Sequence, residues 1–421
     1  MMIKHILKII WNQRRSNGWI FAELLVVVAI LLVMIDSLLV DRYTYRLPLG
    51  FDVENTYKLQ LGVLQPGMPG YADPQTLATR PGEDAMRLVD NLRRAPEVEE
   101  ITFAGCGCPY TTNFMQTYLL PSEADSTFKA HGYMHAEVSP EYFDVLRITD
   151  TEGKPLRSVI GSATGMVLTA DLAETFWEDG SITGKSVKYG HGNTERIPVI
   201  AVSSLLRKTE YQKHIPFFYK VKSRSEMIEC IEEWQVMAID VLVRMRPGFP
   251  PEKLESFLQG MGDRLTVNNI YVSAASSLSG MRAQILKDRE DNMKKKTALV
   301  GFMLINVFFG IIGTFWLRTQ ARQGEMGLRI ALGSNRSQLS RLMNLEGLVL
   351  LGLTIPFLLV FILNMLYFEL PDTVRLPYTW WRFLVTFGGA YLLMGGMICL
   401  GIWFPIRKTR QMEPAEALHY E

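Results

Sequence analysis

The sequence predicts an α-helical membrane protein with four transmembrane helices and a large α+β extracytoplasmic domain inserted between the first and second helices. Three observations predict it. The 421 residues are 48% hydrophobic, yet their apolar side chains concentrate in four runs, at 18–40, 297–317, 345–368 and 383–403. Residues 41–296 separate the first run from the second and are rich enough in apolar residues to fold. The short segments around the runs alternate in their Lys and Arg content.

Each run reaches the roughly 20 apolar residues that a helix needs to cross about 30 Å of hydrocarbon. The first is longer than a signal-peptide apolar core, and no small-x-small cleavage site follows Val40, so it reads as an uncleaved signal anchor. Glu23 and Asp36 lie near its two ends. Carboxylates inside a span are functional suspects, but so near the interfaces they read as groups that reach water. Segment 1–17 carries Lys4, Lys8, Arg14 and Arg15 and no acidic residue, and segment 318–344 carries Arg318, Arg322, Arg329, Arg336 and Arg341. Segment 404–421 carries Arg407, Lys408 and Arg410. Segment 369–382 has only Arg375 and Arg382, offset by Glu369 and Asp372. The positive-inside rule therefore places both termini and 318–344 in the cytoplasm and 41–296 outside, in an inner-membrane, multi-pass chain. Lys294, Lys295 and Lys296 fall on the outer side, against the rule.

Within 41–280, the alternation of Val53, Tyr57, Leu59 and Leu61 predicts a strand, and Pro66, Gly67, Pro69 and Gly70 end it. Ala85, Leu88, Val89 and Leu92 recur at helical spacing, and an extended segment resumes at Val98. A second lobe is expected from Val138. There a short helix over 138–146 carries Ser139 as cap and Pro140 in its first turn. A strand entering a helix follows over 167–177, then a hairpin over 187–202 turning at 190–193. A helix at 250–265, a strand at 266–272 and a charged stalk helix at 281–296 complete the insert.

Few residues carry chemistry. Gly180, Gly184, Lys185 and Ser186 resemble a phosphate loop, but only three residues separate the glycines, where backbone cradling of phosphates needs four. ATP binding by this chain is therefore excluded, and no catalytic motif replaces it. His131 and His135 are four apart, as metal ligands on one helix face would be. Gly132 between them weakens a helix, and they read as surface histidines. Cys106, Cys108 and Cys230 permit one disulfide with one thiol over, or three free thiols. In the spans, Gly301, Gly310 and Gly313, then Gly388, Gly389, Gly395 and Gly396, allow close helix contact. Asn306 offers an interhelical hydrogen bond, and Pro356 a kink.

The segment 320–346 is the one patterned cytoplasmic surface. Met326 and Ile330 share a face of a short helix, and Gly333 suits its end. Ser334 or Asn335 caps the next helix, with Gln338 completing a capping box. Glu325, Met326, Gly327, Arg329, Ile330, Ala331, Leu332 and Gly333 closely resemble the E-x-G-x-R-x-A-L-G signature of the FtsX/MacB family of ABC-transporter permeases. The resemblance extends to 138–146, 167–176, 182–185 and 199–202, which follow the order of a MacB-like periplasmic core domain. It extends also to the ending, where a basic turn precedes Pro414, Glu416, Ala417 and Leu418.

The resemblance implies a non-catalytic permease subunit, with 325–333 docking on a separate ABC ATPase that holds the ATP and magnesium; no cofactor is expected on this chain. It implies a second permease chain, identical or not, membrane lipid around the spans, and an optional periplasmic adaptor or outer-membrane partner; no nucleic acid is expected. Movement of the exported domain would then drive efflux or extraction of a peptide, toxin or lipoprotein-like substrate by mechanotransmission. The rival expectation is a membrane sensor or scaffold that regulates a cell-envelope enzyme or a signalling partner.

Overall fold

In the computed structural model, residues 2–12, 14–111, 115–124, 131–177, 180–190, 196–321 and 336–409 are described. The chain divides into two compact units, one of residues 1–45 with 289–421 and one of residues 46–288.

Among its described residues the second unit has eleven strands: β1 (Thr56–Val63), β2 (Val98–Gly105), β3 (Met115–Pro121), β4 (His131–Val138), β5 (Gly165–Thr169), β6 (Ser186–Tyr189), β7 (Arg196–Ser203), β8 (Phe217–Val221), β9 (Asp240–Met245), β10 (Thr266–Val267) and β11 (Ile270–Ser277). Their order is β10-β11-β1-β9-β2-β4-β3-β6-β7-β5-β8, with β8 also pairing with β4. That last pairing closes β4, β3, β6, β7, β5 and β8 into a ring, and β10-β11-β1-β9-β2 form an open wing. Among the described residues, β2 and β4 pair at two positions, Ala104 with Val138 and Gly105 with Glu137.

The wing packs as the sequence predicts. Tyr57, Leu59 and Leu61 alternate into its core, where Ala85, Leu88, Val89 and Leu92 of the helix Pro81–Arg93 meet them. The helix Arg224–Trp234 joins them, and its start is closed by a capping box: Ser223 Oγ accepts from the Glu226 N–H, and Glu226 accepts from the Ser223 N–H.

Three sequence expectations change here. The lobes do not divide at Val138. β3 and β4 already belong to the ring, and 224–277 return to the wing, because the wing's centre is β9 between β1 and β2. The strand expected at 266–272 is a hairpin, β10 to β11, turning at Asn268 with φ +50°, a conformation Asn tolerates through local hydrogen bonding. The expected helix 138–146 shrinks to Tyr142–Val145.

Among the described residues, four helices have segments long and apolar enough to cross a membrane: Asn17–Arg46, Leu278–Thr314, Arg341–Tyr367 and Trp380–Trp403. Their core repeats every turn. Ile20, Leu24, Val28 and Leu31 of the first share one buried cluster with Ala390, Met394, Ile398 and Ile402 of the fourth. The third is broken at Thr354, between the helices Arg336–Leu353 and Ile355–Tyr367. Pro356 cannot supply the N–H for the bond four residues back, and Thr354 Oγ1 donates to the Leu351 carbonyl at 2.6 Å while lying 2.8 Å from the Tyr391 hydroxyl. An additional helix, Met2–Asn12, occupies the segment left unassigned by sequence. Ile6 and Ile10, four apart, enter the same cluster. The stalk and second span form one uninterrupted helix, Leu278–Ala321, of 44 residues, about 66 Å long at 1.5 Å per residue.

Candidate functional site

The docking residues expected from the signature, Glu325, Met326, Gly327, Arg329, Ile330, Ala331, Leu332 and Gly333, lie outside the described residues, as do Ser334, Asn335 and the ending at 414–418. What is described are the two helices that lead into and out of that segment, Leu278–Ala321 and Arg336–Leu353.

The helix Leu278–Ala321 is fastened at its first turns. Leu278 is fully buried in the core of the second unit, and Met281 packs beside it. One turn on, Arg282 Nε meets Glu210 Oε1 at 2.5 Å. Glu210 is 3% exposed and also accepts from the Tyr110 hydroxyl at 3.0 Å. Burial, and then the Glu210 carboxylate, push the Tyr110 hydroxyl well above its usual range, so it stays protonated and donating. Three residues before Glu210, the buried Arg207 donates to the carbonyls of Leu47, Pro48 and Glu210. Leu47 and Pro48 are where the chain enters this unit from the first span. One loop, 206–210, therefore holds both the entry and the exit of the insert.

In the first unit, ion pairs gather where the first span ends and the second begins. Asp36 takes a two-pronged contact from the fully buried Arg382, Nε to Oδ1 at 2.7 Å and Nη2 to Oδ2 at 2.6 Å. Such forked pairs are the strong ones. Arg382 also donates to the carbonyls of Asp372 and Leu376. Asp36 is thus an interhelical partner of Arg382. One turn further, the buried Asp41 accepts from Arg289 at 2.6 Å and Arg375 at 2.6 Å, with Lys296 at 3.4 Å. Arg375 also holds Asp372 at 2.6 Å. The first span, the second span and the segment before the fourth are therefore tied through Asp36 and Asp41. The signal in the sequence was present: the cations on the side that the positive-inside rule leaves poor in charge are those that find these carboxylates.

Of the span glycines, Gly310 lies against Glu23, whose Oε1 would be 2.9 Å from an added methyl. At Gly313, Gly389 and Gly396, and at Gly301 and Gly388, an added methyl would meet nothing within 4 Å. A close approach that the sequence did not single out occurs at Gly401, where a methyl would lie 2.8 Å from Ile311. Asn306 donates to its own helix, to the Phe302 carbonyl at 2.8 Å, and not across helices.

The remaining chemical suspects resolve in the second unit. Gly180 and Gly184 precede strand β6, not a helix N-terminus, and Lys185 pairs with Glu123 at 3.2 Å. No phosphate cradle forms there. His131 and His135 lie on strand β4, not on a helix, and His135 is fully buried rather than on the surface. Its ring stacks on Phe218 at 4.9 Å and lies 3.2 Å from the Tyr189 hydroxyl. Burial, chiefly, lowers its pKa to about 4. Beside it, Glu137 accepts from Lys222 at 2.9 Å, Tyr189 at 3.1 Å and the Cys230 thiol at 3.3 Å. Burial alone would raise the Glu137 carboxyl, but Lys222 holds it below the usual range. Cys106, Cys108 and Cys230 are free and buried; burial pushes the Cys106 and Cys230 thiols up to about 12, which keeps them unreactive. No group of three or more metal-ligating side chains occurs among the described residues.

Comparison with known proteins places part of this chain. Residues 297–414 match the family described as FtsX-like permease C-terminal. No curated protein matches. Among solved structures, similarity is found to a domain of a putative permease protein from Porphyromonas gingivalis, at 14% identity and a TM-score of 0.32, covering 53% of this chain and 90% of that one. The periplasmic region of MacB from Actinobacillus actinomycetemcomitans is similar at 13% identity and a TM-score of 0.32, covering 56% and 94%. The extracellular domain of the noncanonic ABC-type transporter YknZ from Gram-positive bacteria is similar at 12% identity and a TM-score of 0.29, covering 52% and 100%. The match over 297–414 takes in the second, third and fourth spans with the segments between them, and over those residues the chain is similar to the FtsX-like permease C-terminal family.

Proposed function

We propose that this chain is the permease subunit of an ABC transporter, coupling ATP hydrolysis by a separate ATPase to movement of its extracytoplasmic domain. The observation that carries the reading is the FtsX-like match over 297–414, which contains the signature segment 325–333. The ATPase would dock there, holding the ATP and magnesium, while both termini face the cytoplasm. Two permease chains would complete the complex in the inner membrane.

The geometry supports a mechanical role. A displacement at 322–335 acts on the end of a continuous 44-residue helix. The other end of that helix is clamped by Leu278 and by the Arg282–Glu210 pair, so motion along or about its axis is delivered to the ring of β4, β3, β6, β7, β5 and β8. Hydrogen-bonded helix transmits such motion with little internal loss, since each residue is fixed by its neighbours four away. The substrate class in this reading is a peptide, toxin or lipoprotein-like cargo handled outside the membrane.

The experiment is purification of the tagged full chain from its native membrane under mild detergent. A stoichiometric partner with a phosphate-binding loop and ATPase activity is expected. Its absence, with a kinase or an envelope hydrolase in its place, would replace this reading with that of a sensor or scaffold.

A further inference from the structure

Three consecutive lysines, Lys294, Lys295 and Lys296, stand where the positive-inside rule predicts few cations, and ATPase coupling gives them no task. Two of them, Lys295 and Lys296, border a recess of ≈ 280 Å³ in the first unit. Its walls carry three cations, Arg289, Lys295 and Lys296, against one carboxylate, Asp41. Asp41 is itself engaged by Arg289, Lys296 and Arg375, which pins the cationic wall in place. Lys296 is further held by Ser37 at 2.7 Å. Lys295 has no ion pair among the described residues, and its neighbour Lys294 points its charge to Asp291 at 3.1 Å instead.

The depth of the recess is marked by aromatic side chains. Tyr43, two residues beyond Asp41, packs against Trp381 with ring centroids 6.0 Å apart. Trp380, Trp381 and Tyr367 are exposed at the same ends of the third and fourth spans. Exposed Trp and Tyr of this kind sit at lipid headgroup level. Below the cations, Leu299, Phe302 and Phe309 follow Lys295 at intervals of four, three and seven residues, which is one helix face. All three are exposed. Met293 and Leu299 supply the apolar part of the recess itself.

We propose that this recess binds a membrane lipid with an anionic phosphate headgroup. The phosphate lies against Arg289, Lys295 and Lys296, and an acyl chain runs down the Leu299, Phe302 and Phe309 face. A free phosphate ion would use the cations alone and leave that face without a role; a lipid uses both. Charge complementarity selects phosphatidylglycerol-type over zwitterionic headgroups. The inference is independent of the ATPase reading.

The test uses the full chain in neutral detergent, with binding of phosphatidylglycerol and of phosphatidylcholine with the same acyl chains followed by native mass spectrometry. Phosphatidylglycerol should bind about tenfold more tightly. Lys295→Gln should weaken it about fivefold, the effect of one basic residue near a lipid surface, and Lys295→Glu should erase the preference. Lys294→Gln, which alters a lysine paired elsewhere, should leave it intact. Both lysines are exposed, so folding should survive, and monodispersity on size exclusion verifies that. Equal binding of the two lipids, or an unchanged preference in Lys295→Glu, would overturn the proposal. Displacement of phosphatidylglycerol by inorganic phosphate at equal concentration would overturn it too, reassigning the recess to a free anion.

Discussion

Glu210 accepts the guanidinium of Arg282 at 2.5 Å, three residues after Arg207 grips the carbonyls of Leu47 and Pro48. Both connections of the insert to the spans thus run through one loop. Arg207→Ala leaves buried carbonyls without their donor and should destabilise the 46–288 unit by about 3 kcal/mol. Arg282→Ala removes a half-exposed partner and should cost about 1 kcal/mol. Pulse labelling of Cys106, Cys108 and Cys230 in a Cys399→Ser background checks this, because all three thiols are buried and react only when the unit opens. The larger acceleration should belong to Arg207→Ala.

Asp36 and Arg382 give a second prediction. Arg382→Ala strands a carboxylate among the spans and should lower stability in detergent by about 3 kcal/mol, as when one partner of a buried pair is lost. Asp36→Asn combined with Arg382→Gln removes both charges and should recover more than half of that loss. Thermal unfolding of the single and double variants measures the difference.

His135 makes the second unit sensitive to acid. Its folded pKa of about 4 lies below the usual 6.5, burial being the main cause, with Glu137, Lys220 and Lys222 facing it. Between those values the unfolded chain takes up a proton that the folded chain refuses. Stability is therefore complete above about pH 6.5 and falls as pH drops towards 4, by up to about 3 kcal/mol. Glu137, whose carboxyl is held below 4.5, adds its own loss only at still lower pH. In the thiol-labelling assay, His135→Gln should flatten the profile between pH 4.5 and 6.5 while leaving its fall below that range.

Much of this fold was legible in the residues. The four spans followed from run length, because hydrocarbon imposes a fixed helix length. The quartet Ala85, Leu88, Val89 and Leu92 lies in the core that its spacing predicts. Closure of the ring was not legible. β4 pairs in parallel with β8, eighty residues away, and no local pattern encodes that partner. His135 was misread because the pair with His131 was weighed as a helix, whereas on a strand the same spacing also shares a face. Arg382 entered the sequence reading only through the charge balance of its loop; its carboxylate is Asp36, from another span. The expectation of docking at 325–333 rests only on resemblance to a family, since charge and periodicity alone describe any basic loop.

Orientation supplies a further prediction. Single cysteines at Gln60, Ile330 and Val374, in a chain without its native cysteines, should divide by side in intact cells. Gln60→Cys and Val374→Cys should react with an impermeant thiol reagent, and Ile330→Cys should react only after permeabilisation. Labelling of Ile330→Cys from outside would invert the topology.

The central claim is that 325–333 receives a separate ATPase. Gly327→Trp places bulk where two surfaces must approach, and Glu325→Lys reverses a charge that orients them. Both residues lie in the segment between two spans, so membrane insertion and protein level should stay near normal. The most direct measurement is pull-down of the ATPase by the full chain in lipid, together with the rate of ATP hydrolysis by the pair. The account predicts that each variant loses at least about tenfold in association, or hydrolyses ATP without the stimulation given by the unaltered chain, as expected when a desolvated contact is blocked. Normal association with normal coupled hydrolysis in both variants would contradict it and leave 325–333 an ordinary basic loop.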